Sequence, residues 1–502
     1  MYILHTLRMN EFNIKNNNSL NTHTQNFLPI DLANKCVGVY ILCLVLVSIL
    51  FNDFALPLWL WIFGITSVVL FFYGSNYFTR KWYNNSEKIF TKNLFETALI
   101  IRLLYVLFIY FFNWEHYGTF YESSEGDITF YVPKALQLAQ QISDGKLIEV
   151  IKNLFFWGGD ISDSGYIFYL SIIYFLTGGF SDVILPLILK AIYGSITCIL
   201  IYRISKRHFG EYAGRLAAIF CMLHTSMIWW CGSMMKETEM TLIFTCFIYE
   251  MDRVLSLGKL KFKNMIGAIL LGLFLFCFRS ALALVAFASL FFAVMLTSKK
   301  IINWSTKIFV GVVVALVLGL SVWDNIRSFS EVAKQQVIES DTQTENMEWR
   351  TKRLNGNEFA KYAGAAVFAP MIFTIPFPSM VYTFQGQEMH MMVNGGYYAK
   401  NILSFFVILV MFMLLLSGEW RKHVFIISVM LGYLVVLVFS NFAQSGRFHM
   451  PILALELMFA AYGIHILYKK TLYRRWFNYV LALEIVICIA WAWFKLAGRG
   501  WI

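Results

Sequence analysis

Three acids fall within six residues at Glu122-Ser123-Ser124-Glu125-Gly126-Asp127, inside a polar stretch from Trp114 to Gly165. An aspartate in a polar loop between apolar runs suits a general base that takes a proton from a hydroxyl or an amine. Asp127 is the first candidate for that task, with Glu125 two residues before it. Further along, Lys236-Glu237 follows the apolar Ser226–Met235, and Glu239 comes two residues later. Arg279 is the lone charge in the apolar stretch 265–296, and Arg447 and His449 lie in the loop 440–450. Ionisable groups at helix ends in a membrane are costly unless they pair or bind something. One acid with scattered bases suits a substrate that carries an anionic phosphate and a nucleophile that must lose a proton.

Each of these residues has a plainer reading. Asp127 after Gly126 could cap a helix or close a turn, and Glu237 could be a solvated acid paired with Lys236. Arg279 could reach toward lipid headgroups, and Arg447 could mark the membrane boundary before Pro451. Its place in the chain favours catalysis for Asp127, and its isolation favours function for Arg279. Trp349-Arg350-Thr351-Lys352-Arg353 reads as a solvated face. Trp59, Trp61, Trp229, Trp230 and Trp501 fit interfacial belts better than sugar stacking.

The elements that must position these residues follow from composition. Of 502 residues, 59% are hydrophobic and 14% charged. A soluble domain cannot hide that much apolar surface, so an all-α polytopic membrane protein is expected. Its apolar runs are too long and continuous for an outer-membrane barrel. The net charge of +11 sits in short clusters between apolar runs, which is the positive-inside signature and not a nucleic-acid footprint. The eight cysteines form no metal-binding spacing and read as buried thiols.

Residues 1–35 are expected to form a disordered cytoplasmic tail, followed by a transmembrane catalytic module over 36–323 with an external loop at 113–182. An external region over 324–400 and C-terminal spans over 401–502 complete the chain. Spans are expected at 36–50, 54–72 and 94–112, with Arg80, Lys81, Lys88 and Lys92 inside and the acidic loop outside. Tyr166–Thr177 is too short to cross and is expected on, or dipping into, the outer face. Spans at 183–204, 213–231 and 239–252 follow, then a tight pair split at Arg279-Ser280 and another span at 307–323. The apolar part 363–382 is interrupted by Pro370, Pro376 and Pro378, which argues against a spanning helix. Spans at 401–417, 424–439, 451–467 and 478–494 bring the total to about thirteen. The same alternation places the N-terminus in the cytoplasm. Pro133 suggests that the helix after the acidic loop starts there, leaving Asp127 in the preceding loop.

The order of these motifs resembles the GT-C polyprenyl-phosphate-sugar glycosyltransferases, the superfamily of protein O-mannosyltransferases and lipid A aminoarabinose transferases. Gly126-Asp127 with Tyr131 and Ala135 is similar to the family's first-loop acid. Gly165-Tyr166 to Gly178-Gly179 resembles its juxtamembrane helix, and Arg203–Arg207 with Gly210, Ala213 and Arg215 its cytoplasmic turn. Gly272 to Arg279 is similar to its Gly-Leu…Lys-Gly turn, and Gly446-Arg447-Phe448-His449-Met450-Pro451 to its Arg-aromatic-x-x-Pro. The chain departs from the pattern at Ile128, where a second acid often stands, and at Arg279-Ser280, where the family has lysine. The resemblance implies a GT-C-like bundle with extracytoplasmic loops and juxtamembrane helices. It implies transfer of a sugar from a polyprenyl-phosphate donor, with inversion, to an acceptor glycan, lipid or protein. Asp127 would be the base, with Glu237 positioning the acceptor or a metal. Arg279, Lys236 and Arg447 would hold the leaving phosphate, and Glu125, Tyr131 and His449 would be further acceptor or metal contacts. The family includes metal-dependent and metal-independent members, so a divalent ion stays open.

The rival readings are an O-antigen-type polymerase or ligase, leaning on arginines such as Arg350, and a transporter or flippase. The latter would want charges at mid-span and repeated halves, and no repeat is evident. The Asn-, Ile-, Lys- and Phe-rich composition leans toward a bacterial plasma (inner) membrane.

Overall fold

The computed structural model describes residues 26–119, 121, 127–157, 161–178, 184–256, 262–296, 311, 369–383, 388–439, 444–468, 470–497 and 501–502. It is 84% helical with no strand among the described residues, which decides for an all-α protein. Seven helices are long and apolar enough to cross a membrane: α1 (Ile30–Leu50), α2 (Leu58–Lys81), α3 (Glu87–Tyr117), α7 (Leu185–Phe209), α13 (Asn394–Ser417), α15 (Gly446–Leu467) and α16 (Thr471–Ala497). Between them lie α4 (Ile128–Ser143), α5 (Leu147–Lys152), α6 (Ser164–Leu176), α8 (Glu211–Leu223), α9 (Thr225–Trp229) and α10 (Glu237–Ser256). The shorter apolar helices α11 (Phe262–Phe276), α12 (Ser280–Leu296) and α14 (Val424–Phe439) complete the set.

Most helices are longer than their apolar cores. The first begins at Ile30, inside the stretch 1–35 expected as tail, and α3 runs from a Ser86 cap to Gly118, whose φ of +66° closes the helix. The span predicted from 213 to 231 and the helix start predicted at Pro133 need correction. The first is broken: α8 stops at Leu223, and His224 caps the short α9 by accepting from the Ser226 N–H. Arg102 from α3, wholly buried, causes the break by donating to the carbonyls of Cys221 and Met222 at 3.1 and 3.3 Å. In the second, the helix starts at Ile128 and runs through Pro133, forgoing one backbone bond.

The 13-residue α6 is about 20 Å long, short of a span. It buries Tyr166, Ile167, Leu170 and Tyr174 and packs along α4. Past a short turn at Ala369–Met371, the segment to Thr383 has no regular helix, yet Ile375, Phe377, Met380 and Val381 are buried. Its backbone is satisfied by the rest of the protein: Lys400 donates to the Ile375 carbonyl, and the Ser379 N–H donates to Asn394 at 2.9 Å. Irregular backbone survives among membrane helices only when covered in this way. The expected span 307–323 apart from residue 311, the acid Glu125 and the basic run Arg350, Lys352 and Arg353 lie outside the described residues.

The two ends of the bundle differ. At one, Lys206 joins Glu87 and Glu211, Arg215 binds backbone carbonyls after α2, and Arg207 and His208 hold Asp252. At the other lie the loop 51–57, the end of α3, Asp127 and the start of α15.

Candidate functional site

Arg447, at the second position of α15, joins two acids from remote parts of the chain. Its Nε donates to Glu237 Oε1 at 2.5 Å, and its Nη2 donates to Asp127 Oδ2. Arg279, in the turn between α11 and α12, reaches the same Glu237 oxygen at 3.6 Å. It also donates to the Tyr433 hydroxyl at 3.2 Å and lies 4.3 Å above the Phe448 ring. Phe448 therefore spaces the two guanidiniums, since Arg447 is over the same ring at 5.5 Å. Tyr131, one turn after Asp127, donates to its Oδ2 at 3.3 Å.

The first turn of α10 supplies the rest. Acids there meet the positive end of the helix dipole. Glu237 is wholly buried, and its Oε2 has no hydrogen-bond partner among the described residues. Lys236 turns to the other side, pairing with Asp163 and donating to the Ser162 carbonyl at 3.2 Å. The three acids Asp127, Glu237 and Asp163 balance the three bases Arg447, Arg279 and Lys236.

Exposure divides the roles. The Asp127 side chain is 43% exposed, against 0% for Glu237 and 18% for Arg447, so of the two acids on Arg447 only Asp127 is open to an incoming acceptor. Partial burial pushes its carboxyl up, but Arg447 and Tyr131 outweigh that and hold it below the usual carboxylate value. Burial, then the positive field of Arg279, pushes the Lys236 ammonium down, to about 7.

The structure brings together Asp127, Tyr131, Glu237, Arg279, Arg447 and Lys236. His449 does not join them. Two residues after Arg447, it is turned about 200° around α15 and sits 3.2 Å from the Lys400 ammonium. Of the plainer alternatives, Asp127 does stand in a turn at the N-cap position of α4, though its side chain makes no cap bond, whereas Glu237 is not solvated and Arg279 is buried instead of reaching outward. Two participants were missed. Asp163, the partner of Lys236, was passed over within the same polar stretch. Lys190 on α7, wholly buried, binds Glu239 at 2.6 Å and the Met235 carbonyl, holding the start of α10 in place. A lone lysine in an apolar run was the signal for it.

Among the described residues no group of three or more His, Cys, Asp and Glu side chains is placed to hold a metal. Asp127 and Glu237 would bind one only after releasing Arg447. No protein-family model matches the chain, and the comparison with curated proteins gives no match.

Proposed function

We propose that this is a multi-pass membrane glycosyltransferase that moves a sugar from a polyprenyl-phosphate donor to an acceptor at the extracytoplasmic face. The carrying observation is Arg447 held between Asp127 and Glu237 with Arg279 beside them. Two guanidiniums suit a phosphate that gains charge as it leaves, and Asp127 is the accessible base. In the reaction Asp127 takes the acceptor proton while the acceptor oxygen or nitrogen bonds to the anomeric carbon. The bond from that carbon to the phosphate oxygen breaks with inversion, and its electron pair leaves with the polyprenyl phosphate. An aspartate bound to Arg447 is a weak base. A donor phosphate that draws Arg447 away removes the partner that lowers its pKa, so donor binding precedes and enables proton transfer. Glu237, buried behind Arg447, holds that guanidinium at the site. The composition supports a bacterial plasma membrane, and the charge pattern of the loops supports an N-terminus in the cytoplasm.

The test is purified protein in nanodiscs given short-chain polyprenyl-phosphate sugars and envelope glycan or lipid acceptors, with polyprenyl phosphate release as the readout. Asp127→Asn should lower turnover by about 10²–10⁴-fold. Unchanged turnover in that variant overturns the reading. Loss only on changing Arg350, with Asp127→Asn active, would favour a polymerase or ligase that needs no acid.

A further inference from the structure

A hollow opens at the same end of the bundle as Asp127. It has a volume of about 530 Å³, within the range of roughly 300–1,000 Å³ typical of small-molecule sites. Trp59 of α2, Phe112, His116 and Tyr117 of α3, Tyr382 of the extended segment and the loop 55–57 line it. We propose that this cleft binds a neutral saccharide, the sugar chain of the acceptor; the assignment of that sugar to an acceptor rests on the glycosyl-transfer reading above.

The walls are built, not incidental. The Tyr382 N–H donates to the Phe54 carbonyl at 2.8 Å, and Ala55 pairs with Val381 as an isolated antiparallel bridge. These contacts pin the α1–α2 loop to the extended segment. Phe112 stacks on His116 with centroids 3.9 Å apart and planes 12° apart, and Trp59 leans on Phe112 at 6.1 Å. Five rings from three segments line this one open cleft.

The chemistry of the lining selects the occupant. No Asp, Glu, Lys or Arg lines the cleft among the described residues, so nothing there compensates a phosphate, which belongs with Arg447 and Arg279. Aromatic faces carry negative charge and attract the C–H groups of a pyranose face. Hydroxyls need polar partners, and the ring edges supply them. His116 Nδ1 lies 3.0 Å from the Phe112 carbonyl. A carbonyl only accepts, so Nδ1 donates to it, and Nε2 is left to meet a sugar hydroxyl. A hydrocarbon chain would leave these groups without use.

The experiment is saturation-transfer NMR on the full chain in nanodiscs with maltotetraose, cellotetraose, chitotetraose and mannotetraose as probes. At least one should receive saturation on its pyranose ring protons, and Trp59→Ala should weaken its binding by about tenfold. Trp59→Phe should keep most of the binding, and His116→Ala should lower it. The last two variants carry the test if Trp59→Ala fails to fold. No transfer to any of the four sugars, or equal binding in every folded variant, overturns the proposal. So does transfer confined to methylene protons of a bound acyl or prenyl chain. Binding is read here without turnover, so failure of this site and failure of the transfer reaction are read separately.

Discussion

Arg447 is the residue on which the others depend. Its removal leaves the carboxylate of Glu237, wholly buried, with Arg279 at 3.6 Å as its remaining charged partner. Breaking a buried ion pair on one side costs about 3–5 kcal/mol, because an uncompensated charge stays behind. Arg447→Ala should lose stability on that scale in reversible detergent unfolding, and adding Glu237→Gln should restore more than half of it. Two equal losses that simply add would show that the pair is not coupled. Lys236 gives a pH signature. With the ammonium pushed down to about 7, its charge is present below that pH and is lost as pH rises through it. Affinity for inorganic phosphate or a polyprenyl phosphate should therefore fall above about pH 7, and Lys236→Arg should flatten that limb. Asp163, Arg279, Glu237, Arg447 and Asp127 are the charged groups that face it. Apart from Asp163, which was passed over, the identities of these residues were legible in sequence, since charges in or beside apolar runs are conspicuous. Their partners were not. Nothing local tells that Arg447 would bridge Asp127 and Glu237, 320 and 210 residues away, or that His449 would turn to Lys400.

Helix positions carry the next level of constraint. Gly165 opens α6 where its N–H donates to the Cys277 carbonyl at 2.8 Å. A Cβ there would lie 2.7 Å from the Cys277 Cβ and 2.9 Å from its carbonyl oxygen. Backbone cannot give way cheaply, so Gly165→Ala must push α6 from the α11–α12 turn that carries Arg279. Overpacking of this kind costs typically 1–3 kcal/mol, read as a lower thermal midpoint. The prediction has a second part: phosphate affinity should fall with it, because Arg279 moves off its station. Unaltered affinity in a destabilised variant would show that the turn does not set the site. The spans themselves were readable because hydrocarbon thickness fixes their length. Two element boundaries were not. The break at His224 depends on Arg102 reaching across from another helix, and the start of α4 ahead of Pro133 depends on tertiary packing that outweighs one lost backbone bond.

The whole molecule has to stand one way up in the bilayer, and α3 is the element that can report it. Its 31 residues span about 46 Å at 1.5 Å per residue, more than the roughly 30 Å hydrocarbon core, so both ends reach water or headgroups. Lys88 near its start and Glu115 near its end are both exposed. The start belongs to the end of the bundle with Lys206, Arg215 and Arg207, and positive residues stay on the cytoplasmic side. The end of α3 leads within ten residues to Asp127 and also lines the aromatic cleft. An enzyme whose donor is presented at the outer face needs that end outside. A membrane-impermeant maleimide on intact cells should therefore label Glu115→Cys and leave Lys88→Cys unlabelled until the membrane is opened. Every native cysteine is buried or half-buried, which keeps the background low. The opposite pattern would place Asp127, Arg447 and Arg279 in the cytoplasm, where soluble nucleotide sugars replace lipid-linked ones as the natural donors, and the proposed reaction would have to be abandoned even with its residues correctly identified.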